Sequence, residues 1–234
     1  SEVWVGYRNT IVYTVAGTVL SLMLTIPAAY VLSKKHLVGR GFISLYFVFT
    51  MFFGGGMIPF FITVKNLGLL NKTYTLIVLG CFSVYNMVIS RVYFESSIPE
   101  ALYEAAEIDG CSQIRQFFTI AVPLAKPVIA VIALYYAVAR WNDFFTGLIF
   151  ISDKKYYPLQ LILRNILIEN QTKISKMDTT NLRAEELLYL TRQAYMAEAM
   201  KYALIFISSL PMLIAYPFVQ KYFVKGVMIG SIKG

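Results

Sequence analysis

The chain has 234 residues, of which 58% are hydrophobic and 15% are charged, and its mean hydropathy is +0.62. Soluble domains carry roughly 25% charged residues, so this composition excludes an ordinary water-soluble globule. The formal net charge of +8 comes from 21 Lys and Arg residues that are scattered between apolar runs instead of forming one basic stripe. That distribution argues against nucleic-acid binding and is typical of basic residues that flank membrane spans.

Five apolar runs are long enough to cross a bilayer, since a membrane helix needs about 20 predominantly apolar residues. They cover residues 10–32, 42–64, 74–94, 124–151 and 202–224. The sequence therefore predicts an all-α, polytopic membrane protein that forms a single transmembrane domain over residues 1–234.

The orientation of these runs follows from the short loops, because Lys and Arg are enriched in cytoplasmic loops. The first connector, 34–41, carries three basic residues and the second carries two, which places 34–41 in the cytoplasm. Counting spans from there predicts that residues 96–126 and the tail at 225–234 are cytoplasmic and that the loop at 152–200 is extracellular. The same count puts Ser1 outside, so we expect a further span to precede it in the native chain.

The 152–200 loop begins with an amphipathic pattern that is typical of a helix. Apolar residues recur at helical spacing in its first part: Leu159, Ile162, Leu163, Ile166 and Leu167. Residues 170–181 are polar and are predicted to form a linker, whereas residues 182–200 again have a helical composition.

Nothing in the sequence indicates catalysis or a cofactor in this chain. No GxxxxGK[ST] phosphate loop occurs, so ATP hydrolysis by that route is excluded. The one histidine, His36, has no Cys, Asp or Glu at metal-ligand spacing, which argues against a metal site.

Three consecutive glycines at 54–56 interrupt the second apolar run. Each glycine weakens a helix by about 1 kcal/mol relative to alanine. The cluster predicts either a kinked helix that packs closely on a neighbour, or an unwound segment that lines a transport path.

Ionisable side chains inside a span are informative, because each costs about 2.5–3.5 kcal/mol at the bilayer centre on insertion scales. Arg140 and Asp143 lie three residues apart near the end of the fourth run. They predict either a local ion pair on one helix face, or a substrate path to which Trp141, Asn142 and Asp143 contribute an aromatic surface and hydrogen-bond acceptors. Asn86 in the third run is a further candidate for that path.

The segment at 96–126 begins with helix signals. Ser97 and Glu100 have the spacing of a capping box, and Pro99 suits the first turn of a helix. Gly110 suits the end of this helix, because glycine adopts the left-handed conformation without a Cβ penalty.

A second short helix is predicted in the same segment, from Ser112 to Pro123. The bent pair of helices carries small alanines and the acidic residues Glu104, Glu107 and Asp109, which suits docking in a groove of another protein. Because the pair is held between two spans, a docked partner would move those spans as a rigid lever. The alternative is an ordinary amphipathic connector that lies on the membrane.

The same residues resemble a known signature. They read Glu104-Ala105-Ala106, three residues, Gly110, nine residues, Ile120, one residue, then Val122-Pro123. This is similar to the EAA signature of the permease subunits of binding-protein-dependent ABC importers, which reads EAA, three residues, G, nine residues, I-x-L-P. Val122 stands where leucine is usual.

Three further stretches carry the resemblance along the chain. Trp141-Asn142-Asp143-Phe144 resembles the fourth-span signature of these permeases. Residues 226–234 are similar to the tail of the maltose-type sugar permeases, and residues 54–61 resemble the branch that serves complex oligosaccharides or polysaccharides.

The resemblance implies an ABC-importer permease fold in the bacterial cytoplasmic membrane, usually with six spans, of which this chain has five. The implied partners are a second permease, two ATPase subunits that bind ATP and Mg²⁺, an extracellular substrate-binding protein, an oligosaccharide substrate and the lipid bilayer. The ATPase-coupling residues that it implies are Glu104, Ala105, Ala106, Asp109, Gly110, Ile120 and Pro123. From the residues alone, two other classes stay open: an ion-coupled secondary transporter, and a membrane scaffold or signalling protein.

Overall fold

The computed structural model describes residues 2–175 and, with gaps, residues 192–220. Over this part of the chain the secondary structure is helical, without a strand. The helices of the first half are α1 (Glu2–Ser33), α2 (Arg40–Phe52), α3 (Met57–Asn66), α4 (Thr75–Val78) and α5 (Val84–Ser97). Those that follow are α6 (Glu100–Ile108), α7 (Gln113–Gln116), a π-helical turn (Phe117–Ala121), α8 (Val122–Leu124), α9 (Lys126–Trp141), α10 (Phe145–Phe150), a 3-10 turn (Lys154–Tyr156), α11 (Leu159–Ser175) and α12 (Ile205–Ile214).

Helix α1 is the central element, and it packs mainly against α9 and α5. Its buried side is rich in small and polar residues, which lets neighbouring backbones approach closely. At Gly17 the guanidinium group of Arg140 occupies the space where a Cβ would stand, 2.5 Å from its position. Near the other end of α1 the interior becomes apolar and aromatic, with Tyr30 in ring contact with Phe94 and Phe117 at centroid distances of 5.8 and 5.1 Å.

The first predicted span is confirmed as a continuous helix and is longer than the apolar run at 10–32. Among the described residues it is the one unbroken helix that is long and apolar enough to cross a membrane. Two bent helix pairs also qualify if each is counted as one span. The chain bends by 111° between α2 and α3, and by 80° between the helical segment Gln113–Leu124 and α9.

The predicted span at 42–64 is broken at the glycine cluster. Gly56 has a φ of 84°, in the left-handed region that favours glycine, so the helix ends before it and a new helix starts after it. A Cβ on Gly54 or Gly56 would have no neighbour within 4 Å, and one on Gly55 would meet only Pro59 at 4.0 Å. The predicted interruption is therefore confirmed, whereas close packing of a neighbour on these glycines is wrong for the described part of the chain.

The predicted spans at 74–94 and 124–151 are also interrupted. Gly80, with a φ of 70°, separates α4 from α5, and residues 142–144 separate α9 from α10. In both cases a side chain starts the next helix: the Ser83 hydroxyl accepts the Asn86 N–H, and the Asp143 carboxylate accepts the Thr146 N–H. A hydropathy pattern does not detect such breaks, because the residues on both sides of them are apolar.

The amphipathic helix predicted in the 152–200 loop is confirmed as α11, with Leu159, Ile162 and Leu163 buried. The helix continues to Ser175, so the linker predicted from residue 170 begins too early. The remainder of that linker lies outside the described residues. Of the last predicted span, 202–224, α12 is helical and apolar, and the tail at 225–234 lies outside the described residues.

Candidate functional site

The first helix of the 96–126 segment, hereafter the EAA segment, starts differently from the prediction. Helix α5 continues through Ser97, and α6 begins after Pro99, which is extended with a φ of −60° and a ψ of 136° and lies just before the first turn. The Glu100 carboxylate is hydrogen-bonded to the Lys35 side chain at 2.6 Å. The predicted capping box of Ser97 and Glu100 is therefore wrong, because Ser97 belongs to the preceding helix and Glu100 has a partner far away in the sequence.

The end of α6 confirms the role predicted for Gly110, whose φ is 73°. The Gly110 N–H donates to the Glu107 carbonyl at 3.0 Å, and the Cys111 N–H donates to the Ala106 carbonyl at 2.8 Å. These two bonds form a Schellman motif, which satisfies carbonyls at the helix end. The turn between the two helices is thus fixed by a glycine at that one position.

The second helix opens at Ser112, as predicted, because the Ser112 hydroxyl accepts the Arg115 N–H at 3.4 Å. The fully buried Gln116 then ties the two helices together, since its amide nitrogen donates to the Cys111 carbonyl at 3.3 Å and to the Tyr103 carbonyl at 3.5 Å. Sequence reasoning missed Gln116, because its neighbours Arg115 and Phe117 give no local signal that this amide is buried.

Tyr103 anchors the EAA segment to the end of α1. Its ring is 8% exposed and lies 5.9 Å from the ring of Tyr30, and the Lys34 ammonium sits 3.1 Å above its centroid. Burial raises the pKa of Tyr103 to about 12 and lowers the pKa of Lys34. The phenol therefore stays neutral at physiological pH and serves as a cation–π partner of the ammonium group.

Ion pairs add to this anchor. Lys35 pairs with Glu100 at 2.6 Å, which joins the connector after α1 to the first turn of α6. Glu95 in the last turn of α5 pairs with Arg40 and, at 2.8 Å, with Arg91. The connector between α1 and α2 is thus attached to both helices that meet at residues 98–99.

The outer surface of the EAA segment is open. Glu104, Ala105, Asp109, Gly110 and Pro123 are exposed, and Ala106 and Ile120 are half-buried. Large apolar side chains are exposed as well: Leu102, Ile108, Ile114 and Phe118 have exposed fractions of 44, 87, 74 and 64%. Exposed apolar side chains beside acidic ones are typical of a protein interaction surface.

A second polar region lies at the far end of α9. The Arg140 guanidinium donates from Nη1 to the Leu76 carbonyl at 2.7 Å and from Nη2 to the Ser21 hydroxyl at 3.2 Å. Among the described residues no carboxylate lies within 4.0 Å of it, so the predicted ion pair with Asp143 is wrong. Asp143 instead caps α10 through its bond to the Thr146 N–H at 3.0 Å.

One helical turn before Arg140, the buried Tyr136 connects three helices. Its hydroxyl is hydrogen-bonded to the Thr25 hydroxyl of α1 at 2.6 Å and accepts the Ser83 N–H at the start of α5 at 3.0 Å. Tyr136, Arg140 and Asp143 line an open cleft of about 450 Å³, hereafter the Arg140 cleft. Its other lining residues are Phe60, Leu79, Gly80, Ala139 and Thr146.

The remaining substrate-path candidates do not line this cleft. Trp141 is 3% exposed, and its indole N–H donates to the Ser208 carbonyl at 2.8 Å, so the predicted aromatic surface is not formed by Trp141. Asn142 is exposed and bonds back to the Val138 carbonyl of its own helix at 3.0 Å. Asn86 is buried in the first turn of α5.

Comparisons with curated proteins identify close relatives of the whole chain. Protein LplC of Bacillus subtilis strain 168 is 42% identical over 96% of this chain and 72% of its own length. The polygalacturonan/rhamnogalacturonan transport system permease protein YtcP of the same strain is 39% identical over 94% of this chain and 74% of its own length.

A solved structure agrees with this relationship. A chain in the crystal structure of a bacterial ABC transporter involved in the import of the acidic polysaccharide alginate superimposes with a TM-score of 0.81 and 36% identity, over 95% of this chain and 76% of that chain. This likeness confirms the predicted permease fold. The model of the family described as the inner membrane component of binding-protein-dependent transport systems matches residues 3–229, and the chain therefore belongs to this family of ABC transporter permeases.

Proposed function

We propose that this chain is one of two permeases of an ATP-driven carbohydrate importer in the bacterial cytoplasmic membrane. The observation that carries the proposal is the EAA segment, which is anchored to α1 by Tyr103 on one side and open on the other. Two of the similar proteins described above are named for polysaccharide transport or import. Family membership favours this function over an ion-coupled transporter or a scaffold protein.

In this proposal the chain contributes movement and no catalysis. Two partner ATPase subunits bind ATP and Mg²⁺, and a second permease completes the translocation path. The open residues of the EAA segment, from Glu104 to Gly110, are seated in a cleft of one ATPase subunit, and Ile108 and Ile114 bury apolar surface there. The loop at 152–200 faces an extracellular binding protein.

The contacts of the EAA segment give a route for that movement. A displacement of α6 reaches α1 through the Tyr103–Tyr30 contact and the Lys35–Glu100 ion pair. From Tyr30 to Ser21, which bonds Arg140, the helix rises about 14 Å at 1.5 Å per residue. Because α1 is one unbroken helix, a tilt at one end changes the position of Ser21 and Thr25, which bond the cleft residues Arg140 and Tyr136.

The decisive experiment is co-purification of the full complex in mild detergent. Glu104→Lys is expected to reduce the recovered ATPase subunit and to abolish sugar-stimulated ATP hydrolysis, because it reverses a charge on the docking surface while the spans still insert. Glu2→Lys is the control for ATPase recovery, since Glu2 is also exposed but lies at the opposite end of α1, where it pairs with Lys154. Unchanged ATPase recovery and unchanged transport by Glu104→Lys would refute the proposed docking.

A further inference from the structure

Arg140 is a half-buried cation whose charge is not balanced by an ion pair within the described residues. A guanidinium group has five N–H donors. Two of them are used, by the Leu76 carbonyl and the Ser21 hydroxyl, and the Nε atom is buried without a partner. The second N–H of each Nη atom is therefore not used by the described residues, and these two donors, unlike the buried Nε, are the ones left for a ligand.

The surroundings of Arg140 leave it accessible to a ligand. It lines an open cleft of about 450 Å³, a volume within the range of roughly 300–1,000 Å³ that is typical of ligand sites. The absence of a side chain at Gly17 is what allows the guanidinium to lie between α1 and this cleft, because a Cβ there would stand 2.5 Å from it.

The other charged and titratable groups of the cleft are Asp143 and Tyr136. The Tyr136 hydroxyl is occupied by its bonds to Thr25 and Ser83. Asp143 accepts the Thr146 N–H through Oδ1, which leaves Oδ2 as an acceptor for a hydroxyl group. Phe60, with 48% of its side chain exposed, offers an apolar surface of the kind that packs against a sugar ring.

We infer that the Arg140 cleft binds a carboxylate-bearing sugar unit, with Arg140 as the group that selects the carboxylate. A guanidinium fork matches a carboxylate in two parallel hydrogen bonds, which gives charge-assisted bonds about twice as strong as neutral ones. Asp143 accepts a hydrogen bond from a hydroxyl group of the same sugar unit, and its negative charge repels a carboxylate that is placed beside it. The inference rests on the proposed import of carbohydrates and adds the chemical class of the substrate.

The test compares an acidic oligosaccharide with its neutral ester. The wild-type complex, reconstituted in liposomes with its ATPase subunits and binding protein, is assayed for uptake of oligogalacturonate and of the same oligomer after methyl esterification. Arg140→Gln is expected to lower uptake of the acid by about tenfold or more and to change uptake of the ester much less, because one charge-assisted bond to a charged group contributes more than 1.4 kcal/mol, the equivalent of tenfold.

Two variants keep the inference falsifiable if Arg140→Gln does not fold. Arg140→Lys keeps the charge but loses the fork, so it is expected to retain an intermediate ratio of acid to ester uptake. Arg8→Gln is the matched control, since Arg8 is an exposed residue of α1 that does not line the cleft, and its ratio is expected to equal that of the wild type.

The outcomes separate the inference from the function on which it rests. Equal losses for acid and ester in both Arg140 variants, or uptake of neutral glycans alone by the wild type, would overturn the inference and leave carbohydrate import standing. A wild-type complex whose ATP hydrolysis responds to no saccharide, acidic or neutral, would overturn both.

Discussion

The EAA segment packs against the C-terminal end of α1, whereas Arg140 of the cleft packs against its middle, and the two regions are held in different ways. The EAA segment is attached by the exposed Lys35–Glu100 ion pair and by buried apolar residues, Ile98, Tyr103 and Ala121. The cleft is built from hydrogen bonds to buried groups, among them those of Thr25 and Ser21, which are fully buried. The segment that transmits the movement of a partner is thus held mainly by apolar packing, whereas the region that meets the substrate is held by buried polar groups that are costly to separate.

Filling the space at Gly17 tests how much the close approach of α1 and α9 contributes to stability. Gly17→Leu is expected to destabilise the permease by about 1–3 kcal/mol or more, because the new side chain collides with the guanidinium that lies 2.5 Å from the Cβ position. The measurement is the fraction of monodisperse permease that survives heating in mild detergent. Gly41→Leu is the control, since nothing lies within 4 Å of a Cβ at Gly41. Similar survival of both variants would show that the close approach of α1 and α9 has no energetic importance.

A smaller change removes one oxygen from the same network. Tyr136→Phe is expected to lower the free energy of unfolding by about 1–3 kcal/mol, because the Thr25 hydroxyl loses its partner and the Ser83 N–H loses its acceptor. Thermal unfolding of the two purified proteins measures the difference. Tyr135→Phe, at the neighbouring position with 42% exposure, serves as the control and is expected to unfold like the wild type. An unchanged midpoint for Tyr136→Phe would mean that the hydroxyl does not link the three helices.

In the EAA segment the expected effect is local. Gly110→Val places a β-branched residue at a φ of 73°. The left-handed conformation raises the energy of such a residue by about 1–2 kcal/mol relative to glycine. We expect the variant to insert normally and to lose most of its co-purified ATPase subunit, because the Schellman turn between α6 and α7 is distorted. Gly110→Asn keeps a residue type that tolerates this conformation and is expected to recover much more ATPase. Equal recovery from both variants would contradict the role of the turn.

The smallest effect is expected from the exposed pair of Lys35 and Glu100. Hydrogen bonding to Lys35 lowers the pKa of Glu100, and the same bond raises the pKa of Lys35. Glu100 thus stabilises the folded state at pH values above 4.5, the pKa of this carboxyl group in the unfolded chain. The stabilisation is lost as the pH falls through the lower pKa that the group has in the folded state. Lys35 stabilises the folded state at pH values below 10.5, the pKa of this ammonium group in the unfolded chain. The stabilisation is lost as the pH rises through the higher pKa that the group has in the folded state.

Charge reversal tests this pair directly. Lys35→Glu and Glu100→Lys are each expected to weaken coupling between ATP hydrolysis and uptake slightly at neutral pH, and the double exchange is expected to restore it. The effect should shrink at high salt, because exposed charges are screened. A double exchange that is no better than either single variant would show that the pair does not transmit movement.

The features that could be predicted from the sequence are local ones. The long helix α1, the turn at Gly110, the cap at Ser112 and the amphipathic start of α11 each depend on residues a few positions apart. The spacing of the EAA signature is likewise contained in one short segment, so its position could be read from a single stretch of chain.

The tertiary structure alone decided which distant groups meet. Arg140 bonds Leu76 and Ser21, which are 64 and 119 residues away, and Glu100 bonds Lys35 at a separation of 65 residues. Local patterns favoured the wrong partners, Asp143 for Arg140 and Ser97 for Glu100, because both were near in the sequence and chemically suitable. A buried polar group in an apolar bundle forms a hydrogen bond with the donor or acceptor that lies nearest in the correct geometry. The packing of α1, α5 and α9 determines which donor or acceptor is in that position.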